Sequence, residues 1–334
     1  MKILGQKTLK SNRGVALIIT ILVLSLLVTM SLQFITTTFS HNISATNLRE
    51  GIKGGCAAKS GIHYALAVLY EDLLSTEFDS LLEPWADSEA LTSIGSSLFD
   101  ETSLEIRIVD HSGKININRL IVKGDGDEGE KFDELQKPVL VRLLKSLDLE
   151  LEDDEIGDMV NSIKDWIDQD DEVTEEEGIG AESTYYQGLS QPYSCRNGPM
   201  ETLDELHFVK GITREVFAAL SQYLTVYGDK EGRININTAD KAILNSLSED
   251  IHDEEVDTMI EYREEADNDD LKDFLWYKTA LNTGTDLINR NLIKTTSTHF
   301  EIISTGSNSG MGKKVRVIIE RKEQKLTILS WSVE

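Results

Sequence analysis

Cysteine is scarce in this chain of 334 residues, which carries only Cys56 and Cys195. The two do not form a Cys-x-x-Cys pair, so the sequence predicts neither a zinc ribbon nor a disulfide scaffold. An exported domain could still oxidise them to a single bridge. Because Cys56 lies on a predicted helix and Cys195 in a distant loop, we expect both thiols to be unpaired.

Basic residues are also few. The chain has 33 Lys and Arg against 59 Asp and Glu, which gives a formal net charge of −26. Nucleic acids are bound through Lys and Arg that displace counterions from phosphates, so such a surface repels them. The same surface attracts divalent cations and the basic faces of partner proteins.

Sequence motifs of catalysis are missing. The six histidines have no metal-ligand spacing, and the chain has neither a Gly-x-Ser-x-Gly motif nor a phosphate loop. We therefore predict that the chain is not an enzyme. Trp166, Trp276 and Trp331 are expected to anchor hydrophobic cores rather than to bind ligands.

The first forty residues predict a membrane anchor. Residues 15–34 are mainly apolar, and as a helix they are long enough to cross a hydrocarbon core of about 30 Å. Four basic residues precede this run, so the positive-inside rule keeps the leader in the cytoplasm and exports the rest. No Ala-x-Ala-like cleavage site follows promptly, which argues against an ordinary secretory signal. The four basic residues are Lys2, Lys7, Lys10 and Arg13.

The order Arg13-Gly14 followed by an apolar segment resembles a type IV prepilin leader, which a prepilin peptidase cuts after the glycine. The mature chain would then begin at Val15, whereas an uncleaved signal anchor is the alternative. Pilins and most pseudopilins carry glutamate at the fifth mature position, where this chain has Ile19. The K-class minor pseudopilins of type II secretion lack that glutamate. A carboxylate in the bilayer is costly unless it is paired, so we expect Ile19 to mark a subunit with no neighbour beyond it.

The remaining sequence predicts an α+β fold in which a helical domain interrupts a pilin-like long helix and antiparallel sheet. Residues 44–74 keep a helical apolar period, and the period is again helical from about residue 132 to 289. Alternation predicts a hairpin of residues 103–109 and 114–118 around a turn at 110–113, and later strands at 299–305, 314–320 and 326–331. The predicted parts are a leader at 1–14, a transmembrane helix at 15–38, a stem helix with the first strands at 39–122, an inserted helical domain with helix-hairpin-helix or SAM-like character at 123–295, and C-terminal strands at 296–334.

Two segments of the chain echo each other. Residues 113–120 have the sequence Gly-Lys-Ile-Asn-Ile-Asn-Arg-Leu, and residues 232–239 have the sequence Gly-Arg-Ile-Asn-Ile-Asn-Thr-Ala. Each precedes a helical segment, and Asn or Thr can cap a helix by accepting from free backbone N–H groups. We expect the echo to be structural.

The most specific internal feature is an acidic block, in which residues 148–182 hold sixteen Asp or Glu and one base, Lys164. The sequence Asp165-Trp-Ile-Asp-Gln-Asp170, followed by Gly180-Ala-Glu and two tyrosines, resembles the K-class pseudopilin pattern. With the leader and the C-terminal strands, this resemblance covers nearly the whole chain. So many carboxylates repel one another unless they stay solvated or share cations.

The resemblance also implies calcium, because K-class pseudopilins bind it. Calcium takes six to eight oxygen ligands in a tolerant geometry. No EF-hand fits, since the positions that require Gly and Glu, counted from Asp168, hold Val173 and Ile179. A solvated acidic loop is the alternative. The candidate ligands are Asp168, Asp170, Asp171 and Glu182.

The function implied by the resemblance is that of a minor pseudopilin at the tip of the type II secretion pseudopilus, which promotes pseudopilus assembly and the export of folded proteins. It would be a single-pass inner-membrane protein with its globular region in the periplasm. Its partners would be the I- and J-class minor pseudopilins, the pseudopilus and prepilin peptidase, without nucleic acid.

The alternative function is that of a membrane-anchored helix-hairpin-helix DNA receptor of the competence type, because residues 205–213 and 234–239 resemble such modules. Thr213 replaces the second glycine of the phosphate-binding turn, and the surroundings are acidic. We therefore expect these residues to serve packing rather than DNA binding.

Overall fold

The computed structural model describes residues 13–97, 99, 102–124, 129–228, 230–308 and 310–334. Lys2, Lys7 and Lys10 of the predicted leader lie outside the described residues. The helices and strands, numbered in chain order, are α1 (Arg13–Ser75), α2 (Ser88–Ser96), β1 (Ser103–Asp110), β2 (Ile115–Asn116), β3 (Ile121–Lys123), β4 (Glu130–Phe132), α3 (Gln136–Ser146), α4 (Asp153–Ile167), α5 (Ser183–Gln187), α6 (Arg214–Leu220), β5 (Leu224–Thr225), β6 (Ile234–Asn235), α7 (Lys241–Ser246), α8 (Asp253–Glu265), α9 (Trp276–Ala280), β7 (Ile293–Lys294), β8 (His299–Asn308), β9 (Met311–Lys322) and β10 (Lys325–Val333).

Helix α1 is one unbroken element of 63 residues. At 1.5 Å per residue it is a rod of roughly 95 Å. Residues 14–49 are exposed, and this part is long and apolar enough to cross a membrane. The predicted transmembrane helix and the predicted stem helix are therefore a single helix, which the glycines between residues 51 and 61 do not interrupt.

The C-terminal half of α1 packs on one face of a four-stranded antiparallel sheet with the order β1-β8-β9-β10. The contact is close because it is made by glycines. A Cβ atom on Gly54 would lie 2.7 Å from the Gly306 carbonyl oxygen, which is nearer than real Cβ atoms come. The core between helix and sheet contains Ala58, Ile62, Ala65 and Leu69 of α1 and Ile106, Ile302, Val315, Val317 and Ile319 of the sheet.

The three C-terminal strands are confirmed, but the predicted hairpin of residues 103–118 is wrong. Strand β1 pairs along its whole length with β8, whereas β2 pairs in parallel with β5. Alternation correctly predicts extended backbone but does not specify the partner strand. The turn at residues 110–113 leads the chain away from the sheet and towards Thr238. Gly113 packs so closely on this residue that a Cβ would lie 2.6 Å from the Thr238 hydroxyl oxygen.

A second and larger core lies within the helical region, between β1 and β8 in the sequence. Trp166 and Trp276 are buried in this core, as predicted. Trp331 is 39% exposed, so the prediction that it anchors a core is wrong. Its strand, β10, is the last of the sheet and is paired on one side only.

The echo between residues 113–120 and 232–239 is structural, as predicted. In each segment the Ile-Asn dipeptide forms a two-residue strand that pairs in parallel with a strand at the end of the following helical unit, β2 with β5 and β6 with β7. In each, the first Asn side chain accepts from the backbone N–H of the second, at 3.1 Å for Asn116 and 3.0 Å for Asn235. The helical region is thus built from two copies of one supersecondary unit.

A buried polar network joins the two cores. Arg321 of β9 is ion-paired with Asp72 of α1 at 2.7 Å and with Asp79. The backbone N–H of Ser297 donates to Asp79 at 2.6 Å. Asn235, from the second echo segment, donates to the Ser297 hydroxyl at 2.7 Å and to the Asp79 carbonyl at 3.2 Å. Sheet, stem and helical region therefore meet at one charged cluster.

Candidate metal centre in the acidic loop

The acidic loop begins where α4 ends. Glu152 and Glu155 form a capping box at the start of this helix. Its last turn is fixed by Trp166, whose ring packs edge-on against Tyr186 at 5.2 Å between centroids. Asp168 caps the C-terminus, and its backbone N–H donates to the Lys164 carbonyl at 2.9 Å.

Three of the four predicted ligands come together beyond this helix end. Asp168, Asp170 and Glu182 can each offer a carboxylate oxygen, with all three atoms within 4.8 Å of one another. Asp168 is fully buried and Glu182 is 1% exposed, whereas Asp170 is half-buried. Glu182 reaches the group because it is the N-cap of α5 and accepts from the Ser183 backbone N–H at 3.2 Å.

Two oxygens of this cluster lack a hydrogen-bond partner among the described residues. They are Asp168 Oδ1 and Glu182 Oε1, and both are inaccessible to solvent. The other Asp168 oxygen accepts from Lys164 Nζ at 2.6 Å. Because a buried polar atom without a partner costs free energy, the two unpaired oxygens favour a bound cation.

Electrostatics supports the same conclusion. Burial, followed by the neighbouring charges of Asp165, Asp168 and Asp171, raises the pKa of Glu182 to about 8, although the hydrogen bond from the Ser183 N–H lowers it. Burial likewise raises the pKa of Asp168 to about 6, although the ion pair with Lys164 lowers it. One lysine is therefore too little positive charge for this group of carboxylates.

Asp171, the fourth predicted ligand, lies outside the trio. Its Oδ1 accepts from Asn197 Nδ2 at 3.0 Å, and the same amide donates to the Asp170 carbonyl at 2.9 Å. The Asn197 side-chain oxygen is buried without a partner among the described residues, and Asn197 has a φ of 49°. Sequence reasoning missed Asn197. The sequence feature that could have indicated Asn197 is its Asn-Gly dipeptide, since Asn tolerates the left-handed conformation that such a turn requires.

The glycine of the Gly-Ala-Glu segment is required by packing. Both carboxylate oxygens of Asp165 accept from the Thr174 backbone N–H at 3.2 Å, which folds the loop back over α4. Gly180 lies against this carboxylate so closely that a Cβ would collide with Asp165 Oδ2. The loop therefore returns Glu182 to Asp168 only if residue 180 has no side chain.

A second buried group of carboxylates is formed by Asp72, Asp79 and Glu83. It differs from the first group in how it is neutralised, because in the first group only Asp168 is paired with a cation, Lys164. The guanidinium of Arg321 binds both aspartates. The acidic loop is therefore the better candidate for a metal.

The predicted processing and subunit-contact residues lie on the exposed part of α1. Gly14 is exposed, and a Cβ there would meet no atom from elsewhere in the described part of the chain within 4 Å. Val15 is 59% exposed and Ile19 is 55% exposed. These residues are thus accessible to a membrane enzyme or to a neighbouring helix.

Two family models match the chain, and both describe protein K of the type II secretion system. One matches residues 113–229 and the other residues 234–291, so together they cover more than half of the sequence. The chain belongs to this family. The boundary between the two models falls between the two repeats of the helical region, just before β6.

Curated relatives agree with this assignment. The chain is 29% identical over 227 residues to type II secretion system protein K of Aeromonas hydrophila, 26% identical over 229 residues to a putative protein K of Escherichia coli K12, and 24% identical over 229 residues to protein K of Klebsiella pneumoniae. These alignments cover 67–68% of this chain and 66% of the length of each relative.

A solved structure shares the fold. The crystal structure of the GspK-GspI-GspJ complex from the type 2 secretion system of enterotoxigenic Escherichia coli matches with a TM-score of 0.68 and 18% identity, over 88% of this chain and 99% of the matched chain. The predicted α+β class and the resemblance to the K class are therefore confirmed.

The segment that resembles a helix-hairpin-helix module is used for packing in this chain. Gly211, with a φ of 85°, lies against α4, where a Cβ would be 2.6 Å from Met159 Cγ. Lys210 is ion-paired with Asp158 at 3.1 Å, and the Thr213 hydroxyl caps α6 by accepting from the Val216 N–H at 3.2 Å. The turn therefore faces the protein's own core, which does not favour the DNA-receptor alternative.

Proposed function

We propose that this chain is a minor pseudopilin of the inner membrane that promotes assembly of the type II secretion pseudopilus and the export of folded proteins. The observation that carries the proposal is α1, an exposed apolar helix that continues without a break into the stem beneath a four-stranded sheet. This arrangement holds a globular region at a fixed distance from a membrane. No catalytic role is proposed.

The size of the helical region supports a position at the tip, which is part of the proposal. Helices α3 to α9 lie in an insertion between β1 and β8, and this bulk would collide with neighbours if the subunit repeated along a narrow filament. Ile19 supports the same position. It carries no charge to offset the amino terminus of a subunit beyond it, and an unpaired carboxylate there would be costly in the bilayer.

The proposed partners are the I- and J-class minor pseudopilins. The solved structure that shares the fold is a complex of GspK with GspI and GspJ, which supports this proposal. The strongly acidic surface of this chain, with a net charge of −26, would select neighbours with basic faces.

We also propose that the acidic loop binds calcium through Asp168, Asp170 and Glu182, with Asp171 and Asn197 nearby. The ligand atoms are oxygens, and the unpaired Asp168 Oδ1 and Glu182 Oε1 fit the preference of a hard cation. The ion would supply charge neutralisation to the loop and no chemical step. A solvated acidic loop remains the outcome that a failed calcium titration would favour.

The proposed function is tested by co-expressing the full chain with the I- and J-class subunits and the prepilin peptidase of its own secretion system. Affinity isolation in detergent should recover the three subunits together, with this chain beginning at Val15. A full-length chain recovered alone would contradict the proposal.

A further inference from the structure

We propose that the sheet face over β10, together with the adjoining flank of α1, is a docking groove for the stem helix of another membrane-anchored pilin-like subunit. This inference rests on the proposed function and names the surface through which a partner is held. The groove is defined by Ile328, Trp331 and Val333 of β10 and by Leu48, Ile52 and Tyr70 of α1.

Strand β10 presents apolar side chains to solvent at the edge of the sheet. Ile328 is 48% exposed, Trp331 is 39% exposed and Val333 is 51% exposed. Contiguous exposed apolar residues mark interaction sites, and tryptophan is enriched among the residues that dominate binding energy.

A β-bulge brings these three residues to one face. Ile328 lies opposite Ile319, and after the irregularity at Leu329 the residue opposite Val317 is Trp331. Residues directly opposite each other on neighbouring strands share a face. Ile319 and Val317 are fully buried in the core beneath α1, so Ile328 and Trp331 lie on the α1 side of the sheet.

Val333 follows the same rule, because it lies opposite the buried Val315. Without the extra residue, Ser330 and Ser332 would occupy this face and the apolar side chains would point away. The bulge therefore converts a polar edge into an apolar strip beside α1.

No described helix covers this strip. On the same face, α2 approaches β1, where a Cβ on Gly95 would be 2.8 Å from Ile106, and α1 approaches β8 and β9 through Gly54. A helix about 10 Å wide spans about two strands at a spacing of roughly 4.8 Å. The fourth strand thus leaves space for one further helix beside α1.

The neighbouring wall of the groove is also apolar. Leu48, Ile52 and Tyr70 are 67%, 58% and 47% exposed. Helical periodicity places them on the same flank as Gly55, and a Cβ on Gly55 would meet Lys313 of β9 at 3.7 Å. This flank therefore faces the β9–β10 edge, and it continues towards the membrane segment. The occupant that fits such a continuous wall is a helix that also leaves the membrane alongside α1.

Charge narrows the choice of partner. Lys313 of β9 is exposed and lies beside Gly55 of α1, and the exposed Lys59 is on the same flank of α1 by helical periodicity, in a chain whose net charge is −26. A stem helix with acidic residues flanking its apolar face would complement these two lysines. A second copy of this chain is disfavoured, because two chains of the same large net charge repel each other.

Tryptophan fluorescence gives a direct test. Trp85, Trp166 and Trp276 are at most 5% exposed, so of the four tryptophans Trp331 alone is open to a quencher. The full chain in detergent is titrated with the full-length I- and J-class subunits, and acrylamide quenching is measured. We expect one of these subunits to lower the quenching constant at least about twofold, and the effect to disappear in Trp331→Phe.

Variants that introduce a charge test which face of β10 binds the partner helix. Ile328→Glu combined with Trp331→Glu should weaken binding at least about tenfold, whereas Ser330→Glu, on the opposite face of the same strand, should change it less than twofold. A photo-crosslinking residue at position 331 should attach to the partner's N-terminal helix. Melting curves of each variant without partner confirm that the fold is retained.

Several results would contradict the proposed docking groove. Binding of the subunit could be weakened equally by Ser330→Glu, or not weakened by the double variant. Crosslinks could form to a strand or to a second copy, or lipid vesicles alone could protect Trp331 from acrylamide. If the wild-type chain binds neither subunit in any assay, the proposed function itself fails. If it binds a subunit while acrylamide quenches Trp331 as strongly as before, only the proposed docking groove is contradicted.

Discussion

At the scale of single residues, Glu182 is a carboxyl group that the fold buries with too little positive charge nearby. Its pKa, raised by burial from 4.5 to about 8, means that the folded chain without a cation keeps a proton that the unfolded chain releases. The free energy of unfolding should therefore fall as the pH rises from 4.5 to about 8 and stay low above that. In calcium-free buffer, Glu182→Gln should melt higher than the wild type at the upper end of this interval, and the gap should close towards the lower end. A constant gap in melting temperature would contradict this.

Calcium binding should offset the loss of stability that the buried Glu182 carboxylate causes. At a hundredfold excess over Kd, a ligand that binds only the folded form stabilises it by about 2.7 kcal/mol. We expect calcium to raise the melting temperature of the wild type and of Glu172→Gln, an exposed acid in the same loop, but not of Asp168→Asn or Glu182→Gln. Magnesium should do less because it demands tighter geometry. Identical melting curves with calcium and with EDTA would leave a solvated acidic loop.

Arg321 is the cation of the cluster that joins the two cores. Burial raises the pKa of Asp79 to about 7 and that of Asp72 to about 6, even with the guanidinium present. Arg321→Ala should cost about 3 to 5 kcal/mol, because it leaves buried carboxylates without a partner. The loss should be larger above the pKa of Asp79 than below that of Asp72, where both groups are protonated. Thermal melts across this range, with exposed Lys322→Ala as the control, measure it.

At the scale of elements, two glycines of α1 allow a clean comparison. Gly54→Ala would place a methyl group 2.7 Å from the Gly306 carbonyl and force α1 away from β8. Gly51→Ala, three residues earlier in the same helix, meets nothing within 4 Å and should stabilise the helix by up to about 1 kcal/mol. We expect melting temperatures to move in opposite directions. A similar shift in both variants would mean that the close contact is not required.

The elements also show what could be predicted from sequence. Local patterns gave α1, β8, β9 and β10 and the repeated Ile-Asn segments, because period and turn chemistry are encoded by neighbours. The partner of β1 and the exposure of Trp331 depend on contacts between distant residues and on one bulge, which no local pattern carries. In the acidic loop, residue type and the family resemblance predicted four candidate ligands, of which Asp168, Asp170 and Glu182 lie together. Asn197 was not predicted, since only folding brings it to Asp171.

At the scale of the whole molecule, the exposed apolar part of α1 leads to a prediction about maturation. Prepilin peptidase should cut between Gly14 and Val15, because Gly14 is exposed at the start of an apolar helix. Gly14→Leu should leave the chain uncleaved. Mass spectrometry of the chain purified from membranes gives its mass and therefore shows at which residue it begins. A wild-type protein that still begins at Met1 would identify the anchor as uncleaved.

The pairing of β1 with β8 dictates an order of folding. Ser103 and Ser307 meet across a separation of 204 residues, so the sheet cannot close until nearly the whole chain is available for folding. The two repeats of the helical region bring the distant strands together. In each repeat the last strand pairs with the first, β5 with β2 and β7 with β6, so the chain returns to the neighbourhood of β1 before β8 begins. The helical region should therefore fold first and act as a template that presents β8 to β1, which lowers the entropy of loop closure. Until then the apolar face of α1 is uncovered, so we expect the chain to be most vulnerable to aggregation and proteolysis before β8 has paired with β1.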